Sequence, residues 1–304
     1  MIKYKVSVRL ITFNHSQFIE KSIEGVLMQQ SNFLIELIIG DDFSTDNTRD
    51  LIANYKSTKN VHIKFLDRPF KGEYFYEREK NGRLYNFANT VSNCTGEYIA
   101  LLDGDDYWTD PYKLQKQVDF LENDLNFSAC FTDAIVYNEH SKEKSNYLNK
   151  NKKRSTFHTE DIIKGGGGLF PTASLVFRNL IHDFPNFFYE AKSGDRALSL
   201  LLSVHGSFYC MGDVTCVYRV HNGGIFSNII EKKEKRNDIT RNNIKLLQDF
   251  DIHSNFVFTK IIKQTISNLS KKVLINSKSE LKMSLIRNLT LRDFLSYIKN
   301  FNLK

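Results

Sequence analysis

In IALLDGDDYWTDP, three carboxylates, Asp103, Asp105 and Asp106, follow an apolar run directly, and two aromatics and Pro111 come after them. Acids packed this closely repel one another and resist leaving water, so a cation or a set of donors must stand beside them. A hard divalent ion such as Mg²⁺ or Mn²⁺ prefers carboxylate oxygens and keeps positions open for phosphate oxygens, which suits a diphosphate. The plainer reading is a tight turn around Gly104, but three acids exceed what a turn requires. A second pair, Asp41 and Asp42, ends the run IELIIG, and Thr12 and Asn14 end VSVRLI. DDFSTDNT is also good turn and helix-start chemistry, so both readings stand for that pair. No P-loop and no G-x-G-x-x-G follows the first apolar run, so a diphosphate would depend on the ion rather than on a cradle of amides. In AKSGDRALSLLLSVHG, Asp195 opens an apolar helical run, as a helix-start stabiliser or as a general base. VYRVHNGGIFS places Arg219 and His221 before two glycines.

The elements around these residues alternate in period. Val6 to Phe13 reads as a strand, and SQFIEKSIEGVLMQQ as a helix with Ser16 as its cap. IELIIGDD and VHIKFL read as buried strands flanking the helix STDNTRDLIANY. An aromatic and charged excursion from Pro69 to Gly82 precedes the helix LYNFANTVSNC and the strand EYIALLD. Pro111 suits the first turn of PYKLQKQVDFLEN, with Thr109 or Asp110 as cap, which leaves the acids in a strand-to-helix loop. FSACFTDAIVY, TASLVFR and SFYCMGDVTCVYRVH read as further strands, and residues 138–160 as a polar surface excursion. This alternation predicts an α/β fold with a mostly parallel sheet, in which ligands bind at the carboxyl ends of the strands. Three of the polar groups named above fall at such ends: Thr12 and Asn14 after the first strand, Asp41 and Asp42 after the second, and the Asp103–Asp106 cluster after the fourth.

The 304 residues, 41% hydrophobic, suffice for a large core. The net charge of +7 is uneven: residues 229–304 hold 16 Lys and Arg against 7 Asp and Glu (+9), leaving 26 against 28 (−2) for residues 1–228. The tail's lysines are interleaved with aliphatics at helical spacing and carry no nucleic-acid motif, so nucleic acid is not an expected partner. The four cysteines lie in or beside apolar runs without metal-like spacing, which points to a reduced, cytoplasmic protein. No run approaches the roughly 20 apolar residues of a membrane span, and the N-terminus does not read as a signal peptide. We expect two parts, residues 1–228 and a basic, amphipathic helical region, residues 229–304.

LITFNHSQFIEKSIEGVLMQ, IIGDDFSTDNT and GEYIALLDGDDYWTDPYKLQKQVDFLE together resemble glycosyltransferase family 2 over about residues 4 to 228. The resemblance implies the GT-A fold, with a C-terminal helical extension, and inverting transfer from a nucleotide sugar, with UDP the first expectation. It implies that Thr12, Asn14 and Asp42, with Asp41 in support, bind the nucleotide, and that Asn81 and Asn86 lie close to it. Asp105 would contact the ribose or donor sugar. Asp106, then Asp105, and His221 would hold Mn²⁺ or Mg²⁺, with Asp103, where many relatives have Glu, as a further acid. Arg219, His221 and Ser227 would lie near the phosphates, and Asp195 would be the base. Members with this pattern build bacterial surface polysaccharides such as O-antigen or capsule, so the implied acceptor is a saccharide or a polyprenyl-diphosphate-linked oligosaccharide. The basic tail would then contact anionic headgroups on the inner face of the membrane, pack on the catalytic domain, or pair with a second subunit as a homodimer. A nucleotidyltransferase would show a glycine-rich, basic loop where TFNHSQF stands; a nucleotide-sugar binder without catalysis is the other alternative. GGGGLFPT, residues 165–172, lacks phosphate-loop spacing and is expected on the acceptor side.

Overall fold

A computed structural model describes residues 2–148, 155–224, 233–276, 283–290 and 293–294. Ser227 and the expected boundary near residue 229 lie outside them. The strands are β1 (Val6–Thr12), β2 (Ile35–Asp41), β3 (Val61–Phe65), β4 (Tyr98–Asp103), β5 (Tyr107–Trp108), β6 (Phe127–Asn138), β7 (Lys144–Asn146), β8 (Ser155–Phe157), β9 (Val176–Arg178) and β10 (Ser207–Val220). They form one sheet in the order β3-β2-β1-β4-β9-β6-β10-β5, with β7 on β6 and β8 on β10. The first four are parallel, β9 runs against both β4 and β6, and β10 runs parallel to β6. This is the mostly parallel α/β sheet that the alternating periods predict.

Burial explains the strand sequences. All seven residues of β2 are buried, as a central strand covered on both faces demands. In β1, Val6, Val8 and Leu10 face the layer of helix α1 (Ile19–Leu27), where they meet Ile19, Ile23 and Val26. The other face carries Ser7 and Arg9, both fully buried. Helix α2 (Thr48–Ala53) follows β2; α3 (Glu73–Asn81) lies in the segment that the sequence leaves as an excursion; and α4 (Leu84–Ser92) leads into β4. Helix α5 (Lys113–Asn123) follows the acid cluster, and α6 (Thr159–Gly165), α7 (Asn186–Glu190) and α8 (Gly194–Ser203) cover the opposite face.

Two local expectations are corrected. Ser16 is not the cap of α1: Phe18 holds that position with no side-chain cap bond, while the Ser16 amide donates to Asp46 Oδ2 at 3.1 Å. The loop therefore ties to its neighbour rather than to its own helix. Of TASLVFR, only Val176–Arg178 is strand, because Thr172–Ser174 closes into a 3₁₀ turn after Pro171.

The tail forms α9 (Lys233–His253), α10 (Thr259–Asn276) and α11 (Met283–Ile286). Leu247 and Phe250 of α9 and Ile262 and Val273 of α10 are buried in the same core cluster as Phe188 and Leu198. Of the three uses expected for its apolar faces, packing on the catalytic domain is the one seen. Lys235, Arg236, Lys245, Lys260, Lys263 and Lys272 face outward, and Ile252, Phe256 and Val257 are exposed around the α9–α10 turn. Among the described residues, no helix is long and apolar enough to cross a membrane.

Candidate active site

Parallel pairing brings three strand ends together: Thr12 lies opposite Asp41 and Ile11 opposite Asp103. The rim is closed by the Asp42 amide on Thr12 O (3.0 Å) and the Gly104 amide on Ile11 O (2.9 Å). A Cβ at residue 104 would stand 2.8 Å from Thr12 Oγ1 and 2.9 Å from His15 Nδ1. Only glycine lets the acid loop approach this closely.

The three acids of that loop have different environments. Asp103 sits two residues along from the point where Arg9 crosses β4, and Arg9 Nη1 reaches its Oδ1 at 2.6 Å. The Arg9 guanidinium is fully buried, lies 4.3 Å from the centre of the Phe87 ring, and leaves Nε and Nη2 without partners. Burial pushes the Asp103 carboxyl up to about 6; Arg9 draws it down, while Asp105 and Asp195 push it up further. Asp105 Oδ2 lies 3.2 Å from His221 Nε2 and 3.8 Å from His15 Nε2. Burial alone would raise the Asp105 carboxyl, but the His221 hydrogen bond and the two imidazoles outweigh it and hold the group below the ordinary range. Asp106 is 2% exposed, its Oδ1 accepts the Arg219 amide at 2.9 Å, and burial, then the Asp105 charge, pushes it well up. Asp106, expected ahead of Asp105 as ion ligand, is turned to the β10 backbone, and Asp105 faces two imidazoles.

Arg219, near the end of β10, donates from Nη1 to Asp105 O at 2.8 Å and lies over the rings of Tyr107 and Phe18. His15 is held by its amide on Thr48 Oγ1 (2.9 Å), and burial lowers its imidazole pKa below the ordinary value. A cavity of about 650 Å³ opens beside this pair, lined among others by Asn14, His15, Phe18, Glu139 and His221.

The nucleotide-side expectations separate. Asp42 accepts Tyr74 Oη (2.9 Å) and Arg78 Nε (3.1 and 3.0 Å), both from α3. Asp41 is fully buried and accepts the Ser44 amide and hydroxyl and Arg49, so it performs the turn chemistry of DDFSTDNT. Asn14, at φ 54°, accepts the Thr45 amide at 2.7 Å and bridges the first two loops. Thr12 is 2% exposed, with Oγ1 unpartnered, beneath Gly104. Asn81 bonds to Glu77 in its own helix. Asn86 is 5% exposed and bonds to Gly40 O and Arg68, whose Nη1 also reaches Asp41 O, so it braces β2 from below. Neither asparagine joins Asp105 and His221.

Asp195 lies in the first turn of α8, which Ser193 caps. Its Oδ2 accepts Thr172 Oγ1 at 2.8 Å. Sequence reading missed Arg9, His15, Arg68, Tyr74 and Arg78. Arg9 alone left a signal, as a charge inside an otherwise apolar strand; the others needed the tertiary approach of α3 and of the first loop.

Comparison with known proteins fits this geometry. The family model "Glycosyl transferase family 2" matches residues 7–183. An uncharacterized Mycobacterium tuberculosis protein is 30% identical over 233 residues, 76% of this chain and 63% of its own length, so the chain spans less than two thirds of that relative. TuaG of Bacillus subtilis, provisionally named as a teichuronic acid biosynthesis glycosyltransferase, is 34% identical over 124 residues, 40% of this chain and 44% of its own. Among solved structures, Staphylococcus aureus TarS residues 1–349 with UDP gives a TM-score of 0.59 at 14% identity, covering 97% of this chain and 81% of that one. The mannosyltransferase PcManGT from Pyrobaculum calidifontis, in complex with GDP-Man and Mn²⁺, gives 0.59 at 14%, covering 99% and 80%. At such identities these two likenesses speak for the GT-A fold alone. On the extent of the family match, together with the strand ends that carry its acids, the chain belongs to glycosyl transferase family 2.

Proposed function

We propose that residues 1–228 transfer a sugar, with inversion, from a nucleoside diphosphate, UDP first, to an acceptor hydroxyl. The observation that carries this reading is the convergence of Asp105 and His221 at the strand ends. A carboxylate and an imidazole meeting at 3.2 Å form a mixed oxygen and nitrogen donor set that fits a divalent ion such as Mn²⁺. When bound, the ion would offset charge growing on the departing diphosphate. Arg219 would orient the phosphates, Asp42 the base, and Asp105 the ribose or donor sugar. Asp195 would remove the proton of the acceptor hydroxyl as that oxygen attacks the anomeric carbon. Isothermal titration of UDP, GDP, CDP and dTDP, each with Mn²⁺ and with EDTA, tests this. Metal-dependent binding of one nucleotide is expected, and binding of none would refute the donor site.

We further propose that the acceptor is a saccharide of a bacterial surface polymer, in support of which stands the likeness to TuaG. The outward lysines of α9 and α10, beside the exposed Phe256 and Val257, would attract anionic headgroups at about 1 kcal/mol per nearby cation. The full chain is expected to float with anionic vesicles, and the triple variant Lys260→Glu, Lys263→Glu, Lys272→Glu to stay behind. Equal flotation of the two would remove the membrane role.

A further inference from the structure

The segment GGGGLFPT ends at Thr172, the side chain that is hydrogen-bonded to the Asp195 carboxylate among the described residues. Its turn is closed without the hydroxyl: the Ser174 amide donates to Pro171 O (2.9 Å) and the Leu175 amide to Thr172 O (3.1 Å). The turn is also clamped from behind. Ala173 O accepts the Trp108 indole N–H at 2.8 Å, and Ser174 O accepts Gln117 Nε2 at 3.0 Å and Lys113 Nζ at 3.4 Å. Trp108 is 2% exposed, and Lys113 and Gln117 are fully buried. Three buried donors on two adjacent carbonyls leave this turn little freedom. The aromatic and the helix that follow the acid cluster in sequence therefore fix the turn that reaches Asp195, and Thr172 Oγ1 is the last link.

We propose that Thr172 is a positioning residue for Asp195, a role that rests on the reading of Asp195 as base. By donating to Oδ2 it fixes the carboxylate and leaves Oδ1 to act, much as a general base elsewhere is oriented by a third group. In the step it serves, the acceptor oxygen forms a bond to the anomeric carbon. The bond from that carbon to the diphosphate oxygen breaks, with its electron pair leaving on the diphosphate. The acceptor proton passes to Oδ1.

Two readouts on the full chain test this, each with Thr172→Val, Thr172→Ser and Asp195→Asn. In protein labelled with ¹³C at Asp Cγ, the Asp195 resonance is identified by its loss in Asp195→Asn. It is expected to shift or split in Thr172→Val and to return in Thr172→Ser, with the thermal midpoint unchanged in both. Nucleoside diphosphate release is then followed from UDP-glucose, UDP-N-acetylglucosamine and GDP-mannose with Mn²⁺, with water as the acceptor whose oxygen bonds to the anomeric carbon and whose proton passes to Asp195. Thr172→Val is expected to lower kcat about tenfold at constant KM, and Thr172→Ser to restore it. Full turnover by Asp195→Asn overturns the base assignment. Loss in Asp195→Asn combined with a wild-type resonance and kcat in Thr172→Val overturns the positioning role alone.

Discussion

Asp195→Asn is expected to lower sugar transfer by about 10²- to 10⁴-fold while leaving nucleotide affinity where it was. The amide keeps the size of the side chain but cannot take a proton, so the loss falls on the chemical step. Nucleotide affinity is spared because the groups proposed to hold the nucleotide and its ion, Asp42, Arg219, Asp105 and His221, come from other elements. Thr172 and the first turn of α8 remain in place, since Ser193, not Asp195, accepts the Arg196 amide that caps the helix. Transfer rates under saturating donor, set beside a titration of the diphosphate alone, separate the two effects. Transfer within a factor of two of wild type would take Asp195 out of the mechanism.

The second large effect is expected at Asp105. Asp105→Ala should remove the metal dependence of nucleotide binding, so that affinity in Mn²⁺ falls at least about 100-fold, to the value in EDTA. Asp105 faces His221 and His15, and the His221 hydrogen bond with the two imidazoles holds its carboxyl below the ordinary range. Asp106 faces a backbone amide instead, and burial favours its protonated form. Asp106→Asn is therefore expected to keep a metal-dependent isotherm. The reverse pattern, dependence lost with Asp106→Asn and kept with Asp105→Ala, would restore the order that the sequence suggests. Manganese EPR without nucleotide checks the same point through the ion itself.

Hydrophobic period and strand-end polarity determined the architecture of this protein from its sequence: the mostly parallel sheet, the acids at the ends of β2 and β4, and the helix after Pro111 all follow from local pattern. Such features depend on residues near one another in the chain, or on the rule that a buried strand must be apolar along its length. The division of labour among the acids does not. DGDD reads as three equivalent carboxylates, and only the approach of β10, over 110 residues later, turns Asp106 to the Arg219 amide and Asp105 to His221. Asn81 and Asn86 show the converse: they sit where a nucleotide contact was expected, yet one serves its own helix and the other the buried Arg68. The tail likewise reads as a basic amphipathic region whose apolar faces have several possible partners, and only the structure shows those faces packed beside α6 and α7 in the core of the catalytic part. Type and period are written locally, whereas the charge a carboxylate carries depends on which donors and which neighbouring acids the fold brings within a few ångströms of it.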